Sequence, residues 1–181
     1  MRLELKDIKG EGLEQGYSCS LSEFPDLSAI AEGGGPKFSE PLVFKLRLQR
    51  TGTFVEVDGC LDAVVTLKCG RCLQGFELPL SELFTLTFVP CLPGDNETEE
   101  EVELETGDLG LITYADEVLE LQDPLQEQLL MAVPISPVCQ SSCKGLCPEC
   151  GTDLNVMRCG CVRTPFNSKF TVLANIDCKK L

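Results

Sequence analysis

With 181 residues, 43% of them apolar, the chain is long enough to bury a core without help, as one domain or as a domain with a small metal-stapled module. A formal net charge of -14, no run of about 18 apolar residues and an opening M-R-L-E-L-K-D-I-K-G without a secretory apolar stretch argue against a membrane helix and an ordinary signal peptide, so the expected reading is an unsecreted, cytoplasmic protein. Twelve cysteines in such a chain argue for metal thiolates over disulfides, and the absence of histidine favours zinc or an iron–sulfur cluster over magnesium or calcium.

In chain order, residues 2–8 alternate apolar and polar with period two, which predicts a half-buried strand. Residues 21–41 hold one helical turn near Leu27 to Ala31, broken by Gly33-Gly34-Gly35-Pro36. From Leu42 the pattern is β: L-V-F-K-L-R-L-Q-R, a turn at Thr51-Gly52, an alternating run through Val55, Val57, Leu61 and Val65, then G-F-E-L-P-L-S-E-L-F-T-L-T-F-V. This predicts a meander of about four or five antiparallel strands, with Cys69-Gly70-Arg71-Cys72 at the tip of one hairpin. Residues 90–110 read as a solvated acidic loop; the whole stretch between Cys72 and Cys143 holds 15 acids and no Lys or Arg. Asp123-Pro124-Leu125-Gln126 has the signature of a helix start with Asp123 as N-cap, and Leu125, Leu129, Leu130 and Val133 recur on one face until Pro134. Val133-Pro134-Ile135-Ser136-Pro137 reads as a stiff extended link, and N-S-K-F-T-V-L-A-N-I (167–176) fits a short helix or a final strand, with the helix preferred. The expected fold class is α+β: an antiparallel β meander or partly open barrel with one or two short helices and a C-terminal zinc-knuckle module. Residues 1–133 would form the β domain and 134–181 the module packed on it.

The stretch C-Q-S-S-C-K-G-L-C-P-E-C-G-T-D-L-N-V-M-R-C-G-C (139–161) carries the chemistry. Cys147-Pro148-Glu149-Cys150-Gly151 is a knuckle: two thiolates two residues apart grip one tetrahedral ion, and Gly151 supplies the positive φ by which the chain leaves. Cys159 and Cys161 offer the second pair. Cys139 and Cys143 lack two ligands, and the hairpin-tip pair Cys69 and Cys72 lacks the same two. The expected arrangement is two structural Zn2+ sites, Cys69, Cys72, Cys139 and Cys143 in one and Cys147, Cys150, Cys159 and Cys161 in the other. A mixed site joining Cys147 and Cys150 to Cys69 and Cys72 is the rival pairing. Cys143, Cys147 and Cys150 also match radical-SAM spacing, but only 31 residues follow Cys150. A redox role for Cys69 and Cys72 conflicts with their place between strands, since thioredoxin-like motifs open a helix. Four thiolates close a zinc shell, and no nucleophile elbow, phosphate loop, triad or small-molecule site is evident, so the chain is read as no enzyme.

The blocks V-T-L-K-C-G-R-C (65–72), A-V-P-I-S-P-V-C (132–139), C-K-G-L-C-P-E-C-G-T-D-L-N (143–155), C-G-C (159–161) and F-T-V-L-A-N-I (170–176) resemble the YceD-like large ribosomal RNA subunit accumulation proteins. The resemblance spans the last two thirds of the chain. It implies metal ligands at the same eight cysteines and a part in large-subunit ribosomal RNA accumulation or assembly, and it names no reaction.

The leading expectation is thus a non-enzymatic ribosome-biogenesis factor. Either the zinc module binds RNA through Arg71, Lys144, Arg158, Arg163 and Lys169, with Lys179 and Lys180 beyond, or the acidic segment binds a basic ribosomal protein in place of RNA. The different-class alternative is a thiolate-metal redox or iron–sulfur protein.

Overall fold

Alternation with period two builds the long strands, and a sheet with one wet face follows from it. A computed structural model describes residues 1–10, 12–91 and 110–162. In order come β1 (Arg2–Glu4), β2 (Leu13–Cys19), α1 (Pro25–Glu32), β3 (Lys37–Thr51), β4 (Phe54–Lys68), β5 (Gly75–Pro90), β6 (Leu111–Tyr114), β7 (Val118–Glu120) and α2 (Gln122–Met131), with 3-10 turns at Leu5–Asp7 and Leu21–Glu23. In β4 every second residue from Val55 to Leu67 is buried, whereas Glu56 and Asp58 point outward. On the outer face Thr85 donates to Asp58 and Ser81 to Asp62, so the wet side is tied by cross-strand hydrogen bonds.

The main sheet has the order β2-β3-β4-β5-β6, and β1 pairs with β7 in a separate two-stranded sheet. The meander from β2 to β5 is antiparallel, as its short connections require. β6 instead runs parallel to β5, from Thr87↔Leu111 to Pro90↔Tyr114. Of the expected meander or partly open barrel, the structure has an open sheet: β2 and β6 are its two edges and do not pair with each other. α1, α2 and the β1–β7 pair cover the inner face, where Phe24, Leu27, Phe44, Phe88, Leu119, Leu121, Leu125 and Leu129 are nearly inaccessible. Full burial of each such side chain contributes about 1.5–3 kcal/mol.

Two local expectations are corrected. Residues 2–8 are strand only to Glu4; Leu5 is fully buried and the chain turns there, with the Leu5 N–H donating to the Glu117 carbonyl. α2 is capped by Leu121 and not Asp123, because Leu121 and Leu125 are both buried and are joined by the Leu125 N–H to Leu121 carbonyl bond at 3.0 Å. Asp123 remains in the first turn, where its charge meets the positive end of the helix. Gln126, which is not among the residues of the predicted apolar face, is also buried and donates to Asp26 of α1 at 2.9 Å. Most of the 90–110 acidic loop and the helix expected over 167–176 lie outside the described residues.

Candidate metal centre

The β4–β5 hairpin ends at Lys68↔Gly75, and the six residues between form its tip. Within that tip the Cys69 N–H donates to the Gln74 carbonyl and the Leu73 N–H to the Cys69 carbonyl, both at 2.9 Å. Residues 147–152 repeat this pattern: Cys147 N–H to the Thr152 carbonyl at 2.8 Å, Gly151 N–H to the Cys147 carbonyl at 2.9 Å. Both turns need a left-handed residue at the fifth position, which is Gly151 at φ 71° in one and Leu73 at φ 61° in the other. The chain thus holds two knuckles of one design, 78 residues apart in sequence (Cys69 to Cys147, Cys72 to Cys150).

The knuckles are docked on each other. The Leu146 N–H donates to the Arg71 carbonyl at 3.1 Å, and the Gly70 N–H to the Pro137 carbonyl at 2.8 Å. Gly145, at φ 73°, lies so close that a side-chain carbon there would stand 3.0 Å from the Arg71 carbonyl oxygen. These contacts deliver Cys139 and Cys143 to the hairpin tip. The result is two groups of four cysteines, Cys69 with Cys72, Cys139 and Cys143, and Cys147 with Cys150, Cys159 and Cys161, the sulfurs of each group all within 4.8 Å of one another. Of the two pairings read from the sequence, the geometry has the first; the mixed site does not form.

The donor set fits a single ion in each group. Cys69 and Cys143 sulfurs are 3.8 Å apart, as are those of Cys72 and Cys139. A tetrahedron with metal–sulfur bonds of about 2.3 Å has edges of about 3.8 Å. The first cage is the more enclosed, with Cys69, Cys72 and Cys143 buried and Cys139 half-buried; in the second, Cys150 and Cys161 are exposed. Without a cation the thiols of a cage cannot all ionise together. Main-chain N–H groups of Cys139, Cys72 and Arg71 pull the Cys69 thiol down to about 6, while burial and the neighbouring sulfurs push Cys139 up to about 12. In the second cage, hydrogen bonds from Thr152 lower Cys150 to about 6, and the Cys150 sulfur beside it, with burial, raises Cys161 to about 12. A divalent ion at the centre removes that conflict by favouring four thiolates.

A supporting shell that the sequence reading did not assign surrounds the first cage. Asn155 donates through Nδ2 to the Cys143 sulfur at 3.4 Å and accepts from the Lys144 N–H at 2.8 Å, and Asp153 holds its amide from the other side. The signal was present in the T-D-L-N run after the knuckle, but nothing in its spacing says which sulfur it meets. Of the basic residues expected at RNA, Arg71 donates through Nη1 to the Cys143 carbonyl at 3.1 Å. Lys144 and Arg158 line one depression with Cys147, Leu154, Cys159 and Cys161. Arg163 and Lys169, like Cys178, Lys179 and Lys180, lie outside the described residues. Cys19 is a core residue and Cys60 half-buried, away from both cages.

Residues 57–177 match the family model described as large ribosomal RNA subunit accumulation protein YceD. An uncharacterized protein of Mycobacterium tuberculosis is 33% identical over 113 residues, covering 60% of this chain and 49% of its own length. The chloroplastic large ribosomal RNA subunit accumulation protein YCED homolog 1 of Arabidopsis thaliana is 25% identical over 141 residues, 67% of this chain and 44% of its own. That of Zea mays is 23% identical over 140 residues, 64% of this chain and 46% of its own. The chain spans about half the length of the curated relatives it matches. No solved structure gives a significant match.

Proposed function

Because the chain belongs to the family of large ribosomal RNA subunit accumulation proteins, YceD, we propose that it is a non-enzymatic factor of large-subunit assembly that shields a basic ribosomal protein until the RNA is ready for it. It would act in the bacterial cytoplasm. None of its described helices is long and apolar enough to cross a membrane. Residues 1–133 would form the binding domain, and 134–181 a module stapled to it by two structural zinc ions, one held by Cys69, Cys72, Cys139 and Cys143, the other by Cys147, Cys150, Cys159 and Cys161. A four-thiolate zinc has no open position for substrate, which supports a structural and not a catalytic metal. The approach of all four sulfurs of each group to within 4.8 Å of one another supports a mononuclear ion over a cluster, in which cysteines bound to different irons stand farther apart.

The observation that carries the choice of partner is the segregation of charge. From Leu73 to Ser142 there is no Lys or Arg, and that stretch supplies all of β5, β6, β7 and α2. Such a surface repels phosphate and attracts Lys/Arg-rich chains. The cations near the knuckles have a place without RNA: a closed tetrathiolate zinc would carry a formal charge of about -2. Arg71 bonds to the Cys143 carbonyl of the first cage, while Lys144 and Arg158 line one depression with Cys147, Cys159 and Cys161 of the second. The test is to titrate the purified protein with basic large-subunit ribosomal proteins and, separately, with ribosomal RNA at physiological salt. Salt-sensitive protein binding that weakens when Glu97, Glu99, Glu100, Glu101, Glu103 and Glu105 are changed to Gln is expected. Tight binding of bare RNA, unchanged by those substitutions, would overturn the reading in favour of the basic residues.

A further inference from the structure

β5 is 16 residues long and has β4 beside it from Gly75 to Phe88, but its other neighbour, β6, reaches only Thr87 to Pro90. Along the rest of that side, from Gly75 to Leu86, no main-chain hydrogen bond to any other element is found among the described residues. Just past β5, the Cys91 N–H donates to the Tyr114 carbonyl of β6 at 2.9 Å. Main-chain groups alternate sides along a strand, so the odd-numbered residues of β5 face the β6 side. Ser81, Leu83 and Thr85 therefore present N–H and C=O groups to an open edge. Pro79 has the same parity and lacks only an N–H that would have pointed to solvent, the position in which a strand tolerates proline.

Natural sheets protect an edge with lysines, prolines or inward charges. This edge has Pro79, and Glu82 on the inward-facing register opposite Leu61, but no lysine. Its charges are Glu77 and Glu82, with Asp58 and Asp62 on the adjoining strand, Asp62 being shared with Lys45 at 3.6 Å. A second copy of β5 laid against it would meet like charge. A cationic strand would meet opposite charge, and Leu83, 83% exposed, would cover apolar stem.

We propose that Leu80–Leu86 of β5 accepts an extended, lysine- and arginine-rich segment of a partner protein as an added strand. This rests on the reading that the partner is a basic protein and says where on the molecule its extended segment lies.

The probe is a fluorescent peptide of about eight residues alternating lysine and threonine, long enough for one strand, titrated against the full zinc-loaded chain with amide hydrogen exchange followed on β5. Wild type should bind it in a salt-sensitive way and protect Leu83 and Thr85 amides on binding. Leu83→Pro removes one edge N–H and leaves the β4 ladder intact; it should weaken binding by about ten-fold or more, as should methylation of alternate peptide nitrogens. Should Leu83→Pro fail to fold, judged by its melting and zinc content, Glu77→Lys with Glu82→Lys provides the test, and should abolish binding. Equal binding by wild type and these variants overturns the edge assignment while leaving a basic partner in place. No binding to wild type at all overturns both. Edge amides already protected in the free monomer, or a dimer that Leu83→Pro dissociates, would identify the occupant as this chain itself and overturn the proposal.

Discussion

Leu73 holds the hairpin knuckle in a conformation that glycine holds in the other. At φ 61° a leucine side chain costs about 1–2 kcal/mol, and with 63% of it exposed it recovers little by packing. Leu73→Gly is therefore expected to raise stability by about 0.5–1 kcal/mol after the extra chain entropy of glycine is counted, read as a higher urea midpoint at unchanged slope. A lower midpoint would mean that Leu73 contributes through contacts. The thiols differ as sharply. Cys150 and Cys161 are both exposed, but at pH 7 the first is above its value of about 6 and the second far below its value of about 12. Both values belong to the folded cage, so in metal-free protein, where this stretch unfolds, iodoacetamide should label Cys150 and Cys161 at similar rates. Mass spectrometry of a labelling time course reads it, and a strong preference for Cys150 that fades as the pH is taken below 6 would show that the cage stays folded without its metal.

At the scale of elements, the docking of one knuckle on the other depends on the approach of Gly145 to Arg71. Gly145→Ala places a side-chain carbon 3.0 Å from the Arg71 carbonyl and imposes φ 73° on alanine, so a loss of about 1–3 kcal/mol is expected, with faster release of metal to a chromogenic chelator. Unchanged stability and release would show that the loop can move aside. β3, β4 and β5 were legible because their alternation is local, and so were the hairpin tip and the pairing of its cysteines with Cys139 and Cys143, each pair lacking what the other supplied. The parallel placement of β6 was not, since four residues of L-I-T-Y pattern say nothing about direction. Nor was the end of β1 at Glu4: Leu5 continues the alternation perfectly and leaves the strand for tertiary burial. Asn155 was missed for a related reason, as a hydrogen bond to a sulfur twelve residues away depends on how the turn closes.

For the molecule as a whole, the cages do what the sheet cannot. The Cys139–Cys161 stretch has few large buried side chains; among the described residues beyond Val133, the buried ones with appreciable side chains are Cys143 and Cys147. A structural zinc contributes an apparent ~10–16 kcal/mol in small modules, against about 5–15 kcal/mol for a whole domain, so metal removal should unfold this stretch while the sheet persists. The measurement that bears most directly on this arrangement is element-specific metal analysis of the purified protein beside its Cys69→Ala, Cys72→Ala double variant. About two zinc ions per chain, falling to about one in the variant, is the expected result, each four-thiol cage taking one ion. One zinc that the variant leaves in place, or iron with sulfide in its stead, would contradict it and release the hairpin tip from the metal.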